Sequence, residues 1–245
     1  TADMDLGGKL WTPIAAGDGG PKFANIFDGN NHRVSNIYID AQAFLNKKTH
    51  ADSLMAQNLG FIAALTGTVK NLILENIVVL GYGSGFIKGN VDTEKKPLSI
   101  GTVVGWQSNS KSLVEGCYVT GTIVTSGDGQ AVGGVVGNLG GGTIKNCVSY
   151  ASIEANGKAY VGGIVGYTKE YESGKDTISS CVYAGNSLSS TGSGAVGGVV
   201  GYQYLGNVAI SDVYYDSDLK TKDGKDISGA GKTKGGTVNG NSTTD

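Results

Sequence analysis

Three stretches of this chain read Gly134-Val135-Val136-Gly137, Gly163-Ile164-Val165-Gly166 and Gly198-Val199-Val200-Gly201. Two looser copies precede them, Thr102-Val103-Val104-Gly105 and Gly60-Phe61-Ile62-Ala63. The last positions of the five copies are 63, 105, 137, 166 and 201, so the intervals between them are 42, 32, 29 and 35 residues. Intervals of this length are typical of solenoids and other repeat arrays.

A second phrase recurs in step with the first. It places Val or Ile three residues before another residue of the type found in protein cores. Its copies pair Val34 with Ile37, Val69 with Leu72, Val114 with Cys117, Ile144 with Cys147, Ile178 with Cys181, and Ile210 with Val213. These copies predict about six structural units.

The composition excludes several classes of protein. Glycine supplies 42 of the 245 residues, well above the usual share of roughly 7%, but no collagen-like triplet appears. The 19 basic and 21 acidic side chains give a formal charge of −2. No basic tract could follow a phosphate backbone, so we expect no nucleic-acid partner. No apolar run approaches the roughly 18 residues of a membrane helix, so we expect a chain that does not span a membrane.

The local sequence favours strands and turns. Short apolar segments rich in Val, Ile, Thr and Tyr are interrupted by Gly, Asn, Ser or Asp, and the one weak helical candidate lies at 51–64. Each unit offers roughly three short strands: the Gly-flanked phrase, the Val or Ile phrase, and a β-rich piece such as 121–124. The prediction is an all-β fold, a parallel β-helix or β-solenoid of about six coils with roughly three short strands per coil. The longer intervals then predict loops at 81–97 and 168–176.

We interpret residues 1–245 as a single solenoid domain with distinct ends. Residues 1–40 are rich in aromatic side chains and predict an N-terminal capping coil, because an open solenoid end exposes strand and core. The repeats occupy about 41–215. Residues from about 216 to 245 are polar and predict an edge loop followed by a polar tail.

The three cysteines, Cys117, Cys147 and Cys181, occupy one slot of the repeat. Other units place Ile37, Leu72 and Val213 in that slot, which predicts an inward column of free thiols. Their spacings of 30 and 34 residues do not suit the close pairs of a zinc site, and a disulfide between rungs would be poorly oriented. We therefore predict no metal and no cofactor.

Catalytic constellations are weak in this sequence. The two histidines, His32 and His50, stand in no recognisable zinc or nucleophile motif. The acidic residues that fall in expected loops form no repeated facing pair; they include Asp176, Asp212, Asp216 and Asp218. The acidic segments 216–218 and 223–226 lack the ligand spacing of a calcium-binding EF-hand loop. We expect no catalytic residue.

One row of residues is a candidate binding site. The residue after the Gly-flanked phrase is Trp106, Asn138, Tyr167 or Tyr202, and stacking of coils would align the four. If the row is exposed, Trp106, Tyr167 and Tyr202 could contact a sugar ring or anchor a protein partner. The alternative is that these rings shield corners and pack against neighbouring coils. Further tyrosines lie near the cysteine strand: Tyr118, Tyr150, Tyr183, Tyr214 and Tyr215.

The Gly-flanked phrase resembles the repeat of GLUG-motif proteins, named for Gly-Leu-any-Gly. The three central copies have Val or Ile in the Leu place, while Thr102 and Ala63 depart from the pattern. Residues 11–37 are also similar to the stretch that commonly precedes GLUG repeats, so the resemblance spans roughly 11–216. It implies a secreted or surface-attached bacterial protein of adhesin-like type, and it supplies no catalytic residue because the motif is a folding unit.

These observations together predict a non-enzymatic cell-surface repeat protein that acts as an adhesion, binding or scaffold module. The expected location is extracellular or at the cell surface, with any signal or anchor segment outside this chain. The expected partner is a host or bacterial surface glycan or protein. Two alternatives stay open: a noncatalytic repeat region of a secreted peptidase, and a polysaccharide-cleaving solenoid enzyme.

Overall fold

The computed structural model describes residues 2–16, 21–45, 58–82, 98–169, 176–204, 208–234 and 241–243. Within them lie 24 strands and one short helix, α1 (Ala41–Leu45). The first twelve strands are β1 (Met4–Asp5), β2 (Ile26–Asp28), β3 (Arg33–Ser35), β4 (Tyr38–Asp40), β5 (Asn58–Leu59), β6 (Ile62–Leu65), β7 (Thr68–Lys70), β8 (Ile73–Tyr82), β9 (Leu98–Gly101), β10 (Val104–Gln107), β11 (Leu113–Glu115) and β12 (Tyr118–Ser126). The others are β13 (Gln130–Gly133), β14 (Val136–Leu139), β15 (Thr143–Lys145), β16 (Val148–Asn156), β17 (Ala159–Gly162), β18 (Val165–Thr168), β19 (Asp176–Tyr183), β20 (Leu188–Ser190), β21 (Ala195–Tyr204), β22 (Val208–Asp216), β23 (Ser228–Lys234) and β24 (Asn241–Thr243).

Parallel pairing between successive coils arranges these strands in four ladders. Ladder 1 contains β2, β7, β11, β15 and the first halves of β19 and β22. Ladder 2 contains β1, β3 with β4, β8, β12, β16, the second half of β19 with β20, the second half of β22, and β24. Ladder 3 contains β5, β9, β13, β17 and the first half of β21. Ladder 4 contains β6, β10, β14, β18, the second half of β21, and β23.

The ladders confirm the predicted parallel β-solenoid. The six strands of ladder 1 agree with the expected six coils. A complete coil contains four strands, where the sequence indicated roughly three, because the Gly-flanked phrase forms a corner between two strands. In one coil β13 ends at Gly133 and β14 begins at Val136, so the phrase spans the turn from ladder 3 to ladder 4.

Glycine is required at this corner because two backbones meet there. The aligned positions of the phrase, Ala63, Gly105, Gly137, Gly166 and Gly201, are stacked in register. A Cβ atom added to Gly137 would lie 2.3 Å from the backbone nitrogen of Ile100, and one added to Gly166 would lie 2.3 Å from that of Val132. Ladder 4 therefore packs with its backbone directly against ladder 3 of the preceding coil.

A second corner separates ladder 1 from ladder 2. The residue before each cysteine, and its equivalents in other coils, adopts a left-handed conformation with φ between 50° and 61°; these residues are Asn71, Gly116, Asn146, Ser180 and Asp212. Asn, Gly and Asp tolerate this conformation better than most residues. The corner turns the chain so that the side chain after it points into the core.

The first copy of the second phrase is displaced from the predicted column. Val34 pairs with Leu74 in ladder 2, and Phe27 takes the position beside Val69 in ladder 1. The reason is that β2 already fills the ladder 1 position of that coil. Since Tyr38 pairs with Val78, Ile37 lies beside Ile77 and outside the cysteine column.

The cysteine column is confirmed as inward. Cys117, Cys147 and Cys181 are free thiols with at most 1% exposure, and the same column contains Leu72 and Val213. A hydrogen bond with the neighbouring Cys117 thiol, together with burial, raises the pKa of Cys147. A hydrogen bond with Cys147, together with burial, raises the pKa of Cys181.

Both ends of the solenoid have regular structure. At the N-terminal end the Trp11 ring stacks on Phe61 with centroids 4.8 Å apart, and its indole N–H donates to the Phe61 carbonyl oxygen at 3.0 Å. At the C-terminal end, where the sequence indicated an edge loop and polar tail, β23 extends ladder 4 and β24 extends ladder 2. Gly231 makes this possible because, like Gly201, it lies directly against the backbone of another strand. A Cβ atom added to Gly231 would lie 2.5 Å from the backbone nitrogen of Val196.

Several predicted features lie wholly or partly outside the described residues. The loops expected at 81–97 and 168–176 are described only at their edges, and His50 is not described. Of the weak helical candidate at 51–64, residues 51–57 are not described, while β5 and most of β6 occupy the remainder. None of the helices in the described residues has the length and apolar character to cross a membrane.

Candidate functional site

An apolar column runs along the outside of ladder 2. Side chains alternate across a strand, so the residue after each inward cysteine faces outward. The pairing register stacks these outward residues directly over one another in the order Ile73, Tyr118, Val148, Val182 and Tyr214. The result is a continuous apolar column over five coils.

Three tyrosines make this surface prominent. Tyr118, Tyr150 and Tyr214 are 39%, 44% and 38% exposed. Tyr150 lies two residues beyond Val148, and its ring centroid is 5.6 Å from that of Tyr118. We call the apolar column together with Tyr150 the outer face.

Polar groups border the outer face on both sides. The left-handed corner supplies the exposed Asn146, Ser180 and Asp212, two residues before the column. Asp216 is exposed on the other side, two residues beyond Tyr214. Of the ladder 2 strands from β8 onward, β8, β16 and β22 contain carboxylates and none contains Lys or Arg; those nearest the apolar column are Glu75, Asp212 and Asp216, so the fixed charge beside the outer face is negative.

Two other tyrosines of ladder 2 face the core. Tyr183 is fully buried and Tyr215 is 6% exposed. The Tyr183 hydroxyl donates to the Ala151 carbonyl oxygen at 3.0 Å and lies 2.8 Å from the Ser187 carbonyl oxygen, and burial raises its pKa. Both rings cover glycines of the Gly-flanked phrase: an added Cβ would lie 2.4 Å from the Tyr183 ring at Gly163 and 2.3 Å from the Tyr215 ring at Gly198.

The row predicted after the Gly-flanked phrase is in register. Trp106 pairs with Asn138, Asn138 with Tyr167, and Tyr167 with Tyr202. Tyr167 and Tyr202 are each only 7% exposed, however. Contact between these two rings and a ligand stays a prediction, and the described surface gives them little open ring area.

The buried members of the row form a separate tyrosine cluster. Tyr160, Tyr167, Tyr202 and Tyr204 pack together with Ala131. The Tyr160 ring centroid is 4.7 Å from that of Tyr202 and 5.9 Å from that of Tyr167. Burial raises the pKa of Tyr160, and burial followed by the neighbouring tyrosines raises that of Tyr202. The arrangement matches the alternative in which these rings pack against neighbouring coils.

Trp106 lies apart from that cluster and is half-buried. The Lys22 ammonium lies 4.1 Å from the centre of its ring, close enough for a cation–π contact. The same ammonium donates to the Ser108 hydroxyl oxygen at 2.9 Å. These contacts connect the N-terminal segment to β10 of ladder 4.

A polar cleft of about 580 Å³ lies between residues 190–196 and the turn at 221–225. Two of its three charged side chains form an ion pair: the Lys225 ammonium lies 2.6 Å from a carboxylate oxygen of Asp223. Hydrogen bonds from Lys225 and from the Thr221 hydroxyl lower the pKa of Asp223 to about 2. The cleft contains no aromatic ring, so it offers less apolar contact than the outer face.

Among the other candidate reactive groups, His32 and Asp216 make local contacts. The His32 ring nitrogen lies 3.4 Å from a carboxylate oxygen of Asp3, and Asp216 accepts a hydrogen bond from the backbone N–H of Asp218. Asp176 is buried at the start of β19, and Asp212 lies at the left-handed corner. In the part of the chain that the structure describes, no three His, Cys, Asp or Glu side chains gather into a group able to hold a metal ion.

The sequence contained a signal for the outer face. The cysteine column fixes which residues of ladder 2 face inward. Counting in twos from the cysteine of the same coil places Tyr118 and Tyr150 outside, and places Tyr183, two residues after Cys181, inside. The repeat pattern instead predicted a binding row at the residue after the Gly-flanked phrase, but packing between coils buries the tyrosine rings there.

Comparison with protein-family models, with curated proteins and with solved structures gives no match to this chain.

Proposed function

We propose that this chain is a non-enzymatic repeat module that binds a partner through the outer face and otherwise acts as a rigid scaffold. The observation that carries the proposal is the set of three exposed tyrosines, Tyr118, Tyr150 and Tyr214, held along one apolar column. Exposed aromatic groups on paired strands are suited to binding, because their position is fixed before the partner arrives.

An adhesive role at the cell surface is part of this proposal. It is supported by the resemblance of the Gly-flanked phrase to GLUG-motif proteins. The partner is a surface glycan or protein in either case, since the outer face carries negative charge that disfavours nucleic acid.

The test compares the full chain with two triple variants on an array of surface glycans and extracellular proteins. The first replaces Tyr118, Tyr150 and Tyr214 with Ser. The second is a matched control that replaces three other exposed apolar residues, Met4, Leu10 and Ile26, with Ser. We expect the first variant to lose binding and the control to retain it, with both as stable as the parent chain.

Two results would overturn the proposal. One is the loss of binding in the Met4, Leu10 and Ile26 variant while the tyrosine variant still binds. The other is turnover: shortening of polygalacturonate or of a protein substrate by the purified chain would indicate an enzyme. If every outer-face variant kept that turnover, the activity would lie elsewhere on the chain.

A further inference from the structure

We infer that the occupant of the outer face is a neutral, linear glycan that lies along the stacking direction of the coils. The inference rests on the proposed function and adds the chemical class of the ligand.

The shape of the outer face favours a narrow occupant. Five rungs separated by about 4.8 Å give a length of about 19 Å, and two residues along a strand give a width of about 7 Å. The resulting area is on the order of 130 Å². A stable dimer buries about 800 Å² per partner, so the outer face is too small for a second copy of this chain and suits a single extended polymer.

The backbone of the outer face is unsuited to an extended peptide. Peptides that bind sheets add a strand at an exposed edge, where backbone N–H and C=O groups supply affinity. Strand β12 is paired along its length with β16 on one side and β8 on the other. An extended peptide laid across this face would therefore bury its own backbone polar groups against paired strands without new partners.

A sugar polymer is complementary to the same surface. The apolar C–H side of a sugar ring can pack on the exposed rings of Tyr118, Tyr150 and Tyr214, because an aromatic face is apolar and carries partial negative charge. Sugar hydroxyls can donate to the carboxylate of Asp216 and bond to Asn146 at the corner. A glycan thus satisfies its polar groups at the border and packs its apolar side on the column.

The charge of the outer face selects against anionic glycans. In the described ladder 2 segments from β8 onward, the charged residues within two positions of the apolar column are Glu75, Asp212 and Asp216, and none is Lys or Arg. Arg33, one coil earlier, already lies 3.2 Å from Glu75 in an ion pair. Uronate, sulfate or sialate groups would be repelled by the two other carboxylates, Asp212 and Asp216 on β22, most strongly at low salt.

The test measures, by calorimetry in solution, the binding of oligomeric probes of matched length. The probes are neutral hexamers of glucose, mannose, galactose and xylose, a galacturonate hexamer, and a lysine-rich peptide. We expect at least one neutral hexamer to bind, the galacturonate hexamer to bind at least about tenfold more weakly, and Tyr118→Ala and Tyr150→Ala each to weaken binding by about tenfold. Tyr204→Ala, in the tyrosine cluster, is the control and should leave the affinity unchanged.

The outcomes separate this inference from the proposed function. Binding of the peptide or the galacturonate hexamer, lost in the tyrosine variants, would overturn the neutral-glycan inference and leave the outer face as a binding site. Binding of a neutral hexamer that survives Tyr118→Ala and Tyr150→Ala would overturn both. Failure of every neutral hexamer to bind would overturn the inference, and the array experiment above would then decide the proposed function. Thermal unfolding of each variant confirms that the change measured is in binding and not in folding.

Discussion

Tyr183 and Tyr214 lie on adjacent coils of ladder 2, one residue out of register with each other. Tyr183 is fully buried, whereas Tyr214 is 38% exposed. The buried tyrosine requires a glycine beneath its ring and carbonyl oxygens for its hydroxyl, while the exposed tyrosine has no comparable constraint. The comparison indicates that side chains inside the coil stabilise the fold, whereas those of the outer face are available for binding.

The largest expected effect is at the close approach inside the coil. Gly166→Ala would place a methyl group 2.3 Å from the Val132 nitrogen, so ladders 3 and 4 would have to separate. We expect a loss of about 3 kcal/mol in the free energy of unfolding, measured by urea denaturation. Gly224→Asn is the control, since the turn at Gly224 has φ 78° and open space around it; it should change stability by less than about 0.5 kcal/mol. Equal effects at the two positions would contradict the backbone packing described above.

The next effect compares an inner and an outer tyrosine directly. Tyr183→Phe removes the hydroxyl that bonds to the Ala151 and Ser187 carbonyl oxygens, and we expect a loss of about 1–2 kcal/mol. Tyr118→Phe removes an exposed hydroxyl and should change stability by less than about 0.5 kcal/mol. Thermal unfolding of the two variants side by side measures the difference. A larger loss in the Tyr118 variant would reverse the assignment of inner and outer columns.

The thiol column predicts a dependence of stability on pH. The pKa values of Cys147 and Cys181 are raised in the folded chain, so the unfolded chain loses these protons first as the pH rises. Their contribution is fully present below the ordinary thiol pKa of about 8.5 and declines above it, by about 1 kcal/mol per pH unit for each thiol. Urea denaturation across this range measures the slope. Replacing both cysteines with Val should flatten it, and an unchanged slope would assign it to other groups.

The smallest expected effect is at the corner between ladder 1 and ladder 2. Ser180 has φ 50°, a conformation that Asn tolerates better, as at Asn71 and Asn146 of the same corner. Ser180→Asn should raise the free energy of unfolding by about 0.5–1 kcal/mol, measured by denaturation. Ser179→Asn is the control, because Ser179 lies in strand conformation in β19 and gains nothing from the change. A gain at Ser179 alone would contradict the corner assignment.

Much of the coil was predictable because each repeat makes the same contacts as its neighbours. The alignment of Ala63, Gly105, Gly137, Gly166 and Gly201 is confirmed residue by residue, and the cysteine column is inward as expected. The first coil was misaligned at Val34 because Phe27, which carries no repeat signature, takes the position beside Val69. The C-terminal strands were missed because Gly and Lys rarely indicate a strand, although Gly231 fits the glycine column.

The candidate site was less predictable than the fold. The row containing Tyr167 and Tyr202 is aligned as expected. The distance between two ladders, however, cannot be predicted from the sequence. Glycines bring ladders 3 and 4 so close that Tyr160 and Tyr204 close over the row. The exposure of a side chain depends on how neighbouring coils pack around it, and the repeat pattern does not specify that packing.

The sequence by itself determined the parallel stacking, the number of coils and the inward thiols, because each follows from residue types repeated at a fixed spacing. The tertiary structure alone decided the fourth strand of each coil, the register of the end coils and the division of the tyrosines into buried and exposed. These depend on the distance between ladders and on contacts across coils, which are set only when the whole chain has folded.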